Sequence, residues 1–335
     1  MKRQKTWLLM GLAVLTLLFH PREILEAPYY EGKIINIIVA FPPGGGYDRM
    51  ARLLAKHLPK HIPGKPYVII QNMSGASSII GANYLYSQAK PDGLTIGTFN
   101  RNLAFAQLLK QEGIRFDLAK FAWIGSPSVE ATVMSVRSDL PYKTYDQLLK
   151  AKDPLIYGHT GPANNNYQFA ALLMEYAGLK TKMVRYTGTS DIMLAFERKE
   201  IEGTAAANSS LLPFVARGLL RSLVRGRVSE PGIENLPVNE DLTNDKVGKT
   251  VMAIFSAVDW VGRPFVAPPG TKPEVMKILR TAFARVANDP AVKGESEKVM
   301  MGLNYITAEK AMEVTQYVLN QPPEIVKEFS KFIKF

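Results

Sequence analysis

The chain has 335 residues, 47 % of them hydrophobic, no cysteine, and a formal net charge of +11. That length exceeds one small domain and suits two lobes, with enough apolar residues for a substantial core. The absence of cysteine excludes disulfides, thiol catalysis, thiolate metal sites and a lipidated N-terminal cysteine.

Lys2, Arg3 and Lys5 precede an apolar run from Trp7 to Phe19, and Leu25-Glu26-Ala27 ends on a small residue before Pro28. A basic start, a short apolar run and a small-residue exit make a secretory signal over residues 1–27. The alternative is a retained N-terminal anchor, although the run is short for a span. Removing residues 1–27 takes away four positive and two negative charges, which leaves +9. Lys and Arg are scattered, with no basic tract interleaved with aromatics, so nucleic acid is not the expected partner. Positive charge instead favours an anionic ligand.

Ile34 to Ala40 reads as a buried strand, followed by a Pro/Gly turn and a helix with Met50, Leu53, Leu54 and Leu58 on one face. Tyr67 to Gln71 is the next strand, then a Ser/Gly loop and a helix holding Ile79, Ile80, Tyr84 and Leu85. Leu94 to Thr98 follows the Pro91-Asp92-Gly93 turn as a third strand. A second βα series begins near Ala131: strands at 155–157, 182–185 and 203–207, helices at 164–176 and 191–198. Arg225 to Lys249 is polar and reads as surface loop. Val275, Ile278, Leu279, Ala282, Phe283 and Val286 form an amphipathic helix after Pro273. Strands alternating with helices predict an α/β fold with a doubly wound, mostly parallel sheet in each lobe.

Three loops carry the chemistry. Phe41-Pro42-Pro43-Gly44-Gly45-Gly46-Tyr47-Asp48 joins a strand to a helix. Its glycines permit positive φ and close ligand approach, and the free amides of the helix start favour an anion. Asp48 is placed as the helix N-cap, since direct contact with a bound carboxylate would be repulsive. The loop lacks the residues of a dinucleotide fingerprint or a P-loop. Asn72-Met73-Ser74-Gly75-Ala76-Ser77-Ser78 follows the second strand, where an open α/β sheet binds ligands. Ser74 or Ser77 serves there either as a helix cap or as a ligand donor. Tyr157 to Asn166 repeats the pattern in the second half, with Thr160, Gly161, Asn164 and Asn165 as an opposite wall.

These segments resemble the extracytoplasmic binding proteins of tripartite tricarboxylate transporters, the Bug-type family. The family's first loop reads Pro-Pro-Gly-Gly-Gly-Thr-Asp followed by Ala-Arg; here it is Pro42 to Asp48, then Ala51-Arg52. Its second loop reads Asn-Arg-Pro-Gly-Ala-Gly-Gly, then Ile-Gly-Ala; here Asn72 to Ser78 leads to Ile80-Gly81-Ala82. Pro91-Asp92-Gly93, Val184 to Gly188 and Gly262 to Thr271 match further family segments in order. Tyr47 replaces a Thr, and Ser74, Ser77 and Ser78 replace Pro, Gly and Gly, so the walls are bulkier and more hydroxylated.

The resemblance implies a two-lobed, type II venus-flytrap protein of the periplasm. The first lobe would hold residues 28–128 and 259–335, and the second 129–258; two continuous domains are the alternative. Ligand-contacting candidates carried over are Phe41, Gly44, Gly45, Tyr47, Asp48, Ser74, Gly75, Ala76, Ser77 and Ser78, against Thr160, Gly161, Asn164 and Asn165. Phe41 either packs on the ligand or lies in the core. The implied ligand is a small organic carboxylate, the implied partners are membrane permease subunits, and the protein is expected to be a monomer without cofactor or metal. The alternative role is a co-receptor presenting ligand to a sensor kinase. An enzyme is not expected: no nucleophile elbow, His-Glu-x-x-His or calcium loop is present. His57 and His61 read as solvated surface, and His159 either touches the ligand or lies on the loop surface.

Overall fold

The computed structural model describes residues 28–333. The expected export signal over residues 1–27 lies outside the described residues. Eleven strands are present among them: β1 (Ile34–Val39), β2 (Tyr67–Asn72), β3 (Thr95–Thr98), β4 (Ala122–Ser126), β5 (Thr132–Arg137), β6 (Leu155–His159), β7 (Thr181–Arg185), β8 (Gly203–Ala207), β9 (Leu220–Arg225), β10 (Phe265–Ala267) and β11 (Ile306–Thr307). They form two sheets, one ordered β11-β4-β10-β3-β1-β2 and the other β7-β6-β8-β5-β9.

Both sheets mix parallel and antiparallel pairs, where the sequence predicts mostly parallel ones. β1 pairs in parallel with β2 and β3, and β6 with β7 and β8, because a helix carries the chain back between them. β10 enters the first sheet between β3 and β4 from the far side of the chain and runs antiparallel to both. β5 likewise runs antiparallel to β8 and β9.

Side-chain alternation explains the apolar run of β1. Ile35, Ile37 and Val39 face one core, with Met50, Leu54 and Leu58 of helix Gly46–His61 and Leu279 and Phe283 of helix Pro273–Asn288. Ile38 points to the opposite face and joins a second core. That second core continues through Phe105, Phe329, Phe255 and Phe169 to Met134 and Tyr157 of the other sheet. The last helix, Pro323–Phe332, packs on helix Asn165–Tyr176, and Tyr176 donates to Glu328 at 2.6 Å. The two sheets thus share packing on one side of the molecule and face each other across a cavity on the other.

Two local expectations change. The stretch Arg225 to Lys249 is not wholly loop: helix Lys246–Ala257 starts inside it, capped by Asp245, which accepts from the Gly248 amide at 2.7 Å. His57 is buried rather than solvated, and its Nε2 lies 2.8 Å from Glu295. Among the described residues no helix is long and apolar enough to cross a membrane.

Candidate functional site

A cavity of about 70 Å³ lies where the two sheets face each other. Four helix starts reach it: Gly46 and Tyr47 of helix Gly46–His61, Asn165 and Asn166 of helix Asn165–Tyr176, Thr189 and Ser190 of helix Thr189–Glu197, and Ser210 of helix Asn208–Ala216. The first amides of each helix lack an intrahelical acceptor, and the helix dipole favours negative charge there.

Of the candidates from sequence, Phe41, Gly45, Tyr47, Thr160, Asn164 and Asn165 line this cavity. Ser74, Gly75, Ala76, Ser77 and Ser78 line a separate opening of about 570 Å³ on one side, and share it with Phe41, Thr160 and Asn164. Gly44 lines a third opening on the other side. Asp48 and Gly161 lie behind the walls and line none of these three spaces.

The first loop is built differently from its sequence reading in two respects. Gly44 alone among the three glycines takes a positive φ, +85°; Gly45 is the helix N-cap in an extended conformation. Asp48 is therefore not the N-cap. It sits in the first helical turn and folds back to accept from the Gly44 amide at 2.9 Å, Arg52 Nε at 2.8 Å and Asn72 Nδ2 at 2.9 Å. Burial raises the Asp48 pKa, but these bonds outweigh it and hold the carboxyl below its usual value. Its charge is engaged within the loop, which leaves the cavity face to backbone amides. Tyr47 stacks on Phe41 with ring centroids 4.2 Å apart, and its hydroxyl accepts from the Arg101 amide at 3.2 Å.

The second-lobe loop is held by asparagines. Asn166 Oδ1 accepts from the Thr160 amide at 3.1 Å, and Asn164 Nδ2 donates to the Thr160 carbonyl at 2.9 Å. Across the cavity Asn100 Nδ2 donates to Asn164 Oδ1 at 2.7 Å and to the Ala163 carbonyl at 3.0 Å. Asn102 Nδ2 donates to Gln168 Oε1 at 2.9 Å. These bonds tie the turn after β3 to the opposite wall.

Sequence reasoning missed the two charged side chains of the cavity, Arg101 and Arg263. Arg101 Nη2 donates to Asp259 at 2.8 Å and to Thr132 Oγ1 at 3.0 Å. Thr132 also donates to Asp259 and accepts from Asn165 Nδ2, each at 2.7 Å. Burial works against the Arg101 charge, yet Asp259, with smaller help from Tyr47 and Glu230, holds its pKa above the ordinary value. Asp259 is itself shifted up by burial, in part offset by Arg101 and Thr132. Arg263 pairs with Glu130 and donates from Nη2 to Ser209 and Ser210 at 2.9 and 3.2 Å. Burial pulls its pKa down to about 9, so the guanidinium stays protonated at neutral pH. Both arginines are more than nine-tenths buried, and the Nε of each has no hydrogen-bond partner within the protein. The sequence marked only their neighbourhoods: Arg101 follows β3 at the carboxyl end of a parallel strand, and Arg263 follows Gly262 in a segment that the family resemblance matches. Among the described residues no group of three or more His, Asp and Glu is placed to hold a metal.

The fold has counterparts among known proteins. Residues 50–330 match the family described as the tripartite tricarboxylate transporter family receptor. The chain is 28 % identical over 277 residues to a UPF0065 protein of Bordetella pertussis, covering 79 % of this chain and 80 % of that one. Among solved structures, the periplasmic binding protein BugD superposes with a TM-score of 0.75 at 20 % identity, over 90 % of this chain and 98 % of that one. MatC of Rhodopseudomonas palustris with bound malate gives 0.70 at 18 % identity, over 90 % and 99 %. The family comprises substrate-binding proteins rather than enzymes. The matched span covers most of the chain, and the protein belongs to the receptor family of the tripartite tricarboxylate transporters.

Proposed function

We propose that this protein captures a small organic carboxylate between its lobes in the periplasm and, as a monomer, delivers it to the membrane permease subunits of a tripartite tricarboxylate-type transporter. The lobes comprise residues 28–128 with 259–335, and residues 129–258. The observation that carries the reading is the convergence of four helix starts and the buried guanidiniums of Arg101 and Arg263 on one cavity. Helix-terminal amides and a guanidinium both stabilise a carboxylate, and neither needs to move a proton to do so. A structural neighbour, MatC, holds malate, an acid of this class. The candidate residues from both walls, Phe41, Gly45 and Tyr47 against Thr160, Asn164 and Asn165, surround the ligand, and the Ser74–Ser78 loop guards one opening.

Calorimetric titration of the chain from residue 28 onward with short mono- and dicarboxylates, alongside their neutral amides, tests the reading. Binding of at least one acid and of none of the amides is expected. Small-angle scattering should show a smaller radius of gyration at saturation, as the lobes close by hinge bending. Equal binding of an acid and its amide would remove the anion-holding role of the cavity.

A further inference from the structure

On the side of the cavity away from the Ser74–Ser78 loop lies a larger space of about 620 Å³. Most of its wall is apolar, with Met193, Leu194, Pro213 and Phe214 from one lobe and Val299 and Met300 from the other; Arg49, Glu197 and Lys298 also border it. Leu194, Val299 and Met300 are 49 %, 41 % and 39 % exposed, and they sit together. Clustered exposed apolar side chains at the mouth of a cavity mark a ligand-binding surface more often than a neutral one. The space shares Gly45, Gly46, Thr189, Ser190 and Ser210 with the inner cavity, so the two are contiguous. Ser190 Oγ, donating to the Pro43 carbonyl at 3.2 Å, stands at the passage between them. The opening on the opposite side has a different character, with Ser74, Ser77, Thr187, Arg185 and Asp191 in its wall.

The inner cavity, about 70 Å³, takes a carboxylate and a few carbons. Any longer ligand must leave it through one side, and the side lined by Leu194, Phe214, Val299 and Met300 is the more apolar of the two. Resting on the carboxylate reading above, we infer that the ligand is amphiphilic: its carboxylate lies in the inner cavity and an aliphatic tail passes Ser190 into the vestibule formed by Leu194, Phe214, Val299 and Met300. Because that vestibule is lined from both lobes, the tail also adds to lobe closure.

The test is calorimetric titration of the chain from residue 28 onward with straight-chain monocarboxylates from butyrate to decanoate. Burying one methylene is worth roughly fourfold in affinity, so Kd should fall by about that factor per carbon from pentanoate to octanoate and then level off. Leu194→Asp and Val299→Asp, both at exposed positions, should each weaken octanoate binding about tenfold and leave butyrate within about twofold. An affinity that is flat with chain length, while short acids bind, overturns the tail site and leaves the carboxylate reading standing. Failure of every acid in the series and of the short dicarboxylates overturns both. Equal loss of butyrate and octanoate binding in a variant with native circular dichroism also overturns the vestibule, since the effect would then lie in the inner cavity. The wild-type series needs no variant, so misfolding of either substitution leaves the test intact.

Discussion

The loops Pro42–Asp48 and Asn72–Ser78 follow adjacent parallel strands and look like equivalents, but they do different things. The first presents its backbone to the inner cavity: Gly45 is an open N-cap, and a side chain built there would meet nothing within 4 Å. The second loop turns its backbone inward on itself. Gly75, Ala76, Ser77 and Ser78 have φ of 138°, 44°, 54° and 88°, four successive left-handed residues, three of which carry side chains. Ser78 Oγ fixes that geometry by donating to the Ala40 carbonyl at 3.0 Å and accepting from the Asn100 amide at 3.1 Å. Asn100 leads the turn that carries Arg101 and Asn102 to the cavity. One loop therefore faces the candidate ligand space, and the other positions a third segment that does. Glycine-rich, helix-opening loops are thus not interchangeable even at neighbouring strand ends; where their amides point decides their role.

The largest effect that would break this comparison comes from placing a valine in each loop. Gly45→Val needs no change of backbone, since Gly45 has φ −76°, and its branches would stand in open space where the inner cavity meets the neighbouring opening, both of which Gly45 lines. Once a ligand fills that space, forcing extra volume into it costs about 1–3 kcal/mol, so a loss of affinity of roughly tenfold to a hundredfold is expected with the fold retained. Ser74→Val, exposed on the rim of the other opening, should change affinity less than about threefold. Titration of both variants, with circular dichroism as the folding control, decides the matter. Equal losses would erase the distinction between the loops.

Next in size is Ser78→Ala. It removes the donor to Ala40 and leaves the buried Asn100 amide without its acceptor. Leaving such a group unsatisfied costs about 1–3 kcal/mol of stability. Thermal unfolding should fall by several degrees, and ligand affinity should fall with it as the Asn100–Asn102 turn loosens. A lowered melting temperature with native affinity would mean that the second loop does not position the third.

Smaller and opposite in sign is Ser77→Gly. Ser77 sits at φ 54° and ψ 37°. A left-handed residue with a Cβ carries a cost of about 1–2 kcal/mol, part of which glycine gives back as added freedom in the unfolded chain. A net rise of about 0.5–1 kcal/mol in stability is expected by denaturant titration. A fall would show that the Ser77 hydroxyl, which packs close to Gly161 on the facing lobe, contributes more than the strain it brings.

Much of this was legible in the residues, for identifiable reasons. β1 is a continuous apolar run because both its faces are buried, and helix Gly46–His61 shows one apolar stripe because one face is; either pattern can be read from composition alone. β10 and β11, with three and two residues, are too short to show a period, and no residue pattern in β5, β8 or β9 marks their antiparallel pairing, so the mixing of strand directions stayed hidden. The glycine loop announced itself through backbone requirements. Arg101 and Arg263 did not, since a single arginine carries no spacing signal and its partners Asp259 and Glu130 lie 158 and 133 positions away in the chain. The Asp48 role was misread because an acidic residue near a helix start satisfies either the cap position or the first turn, and only the backbone conformation of Gly45 separates the two.

The smallest effect concerns the loop on the facing lobe, which is held by a histidine, where the first-lobe loops are held by the Asp48 carboxylate and the Ser78 hydroxyl. His159, 8 % exposed, ends β6, and its Nδ1 accepts from the Gly161 amide at 3.1 Å. Its ring lies beside Tyr167, with centroids 5.1 Å apart. Burial lowers its pKa from 6.5, and the nearby Arg185 lowers it further. The sign follows from proton uptake. Below about pH 6.5 the unfolded chain binds a proton that the native ring does not, so native stability falls as pH drops toward the depressed native value. Past that value the native ring protonates, Nδ1 becomes a donor, and the Gly161 amide loses its acceptor. His159→Asn keeps a side-chain acceptor without a titrating ring. Thermal unfolding of wild type and variant between pH 8 and 5 should therefore diverge only on the acid side, with the wild type losing more. Parallel profiles would mean that protonation of His159 leaves the 159–161 turn undisturbed, and the three loops would then be alike in their indifference to pH.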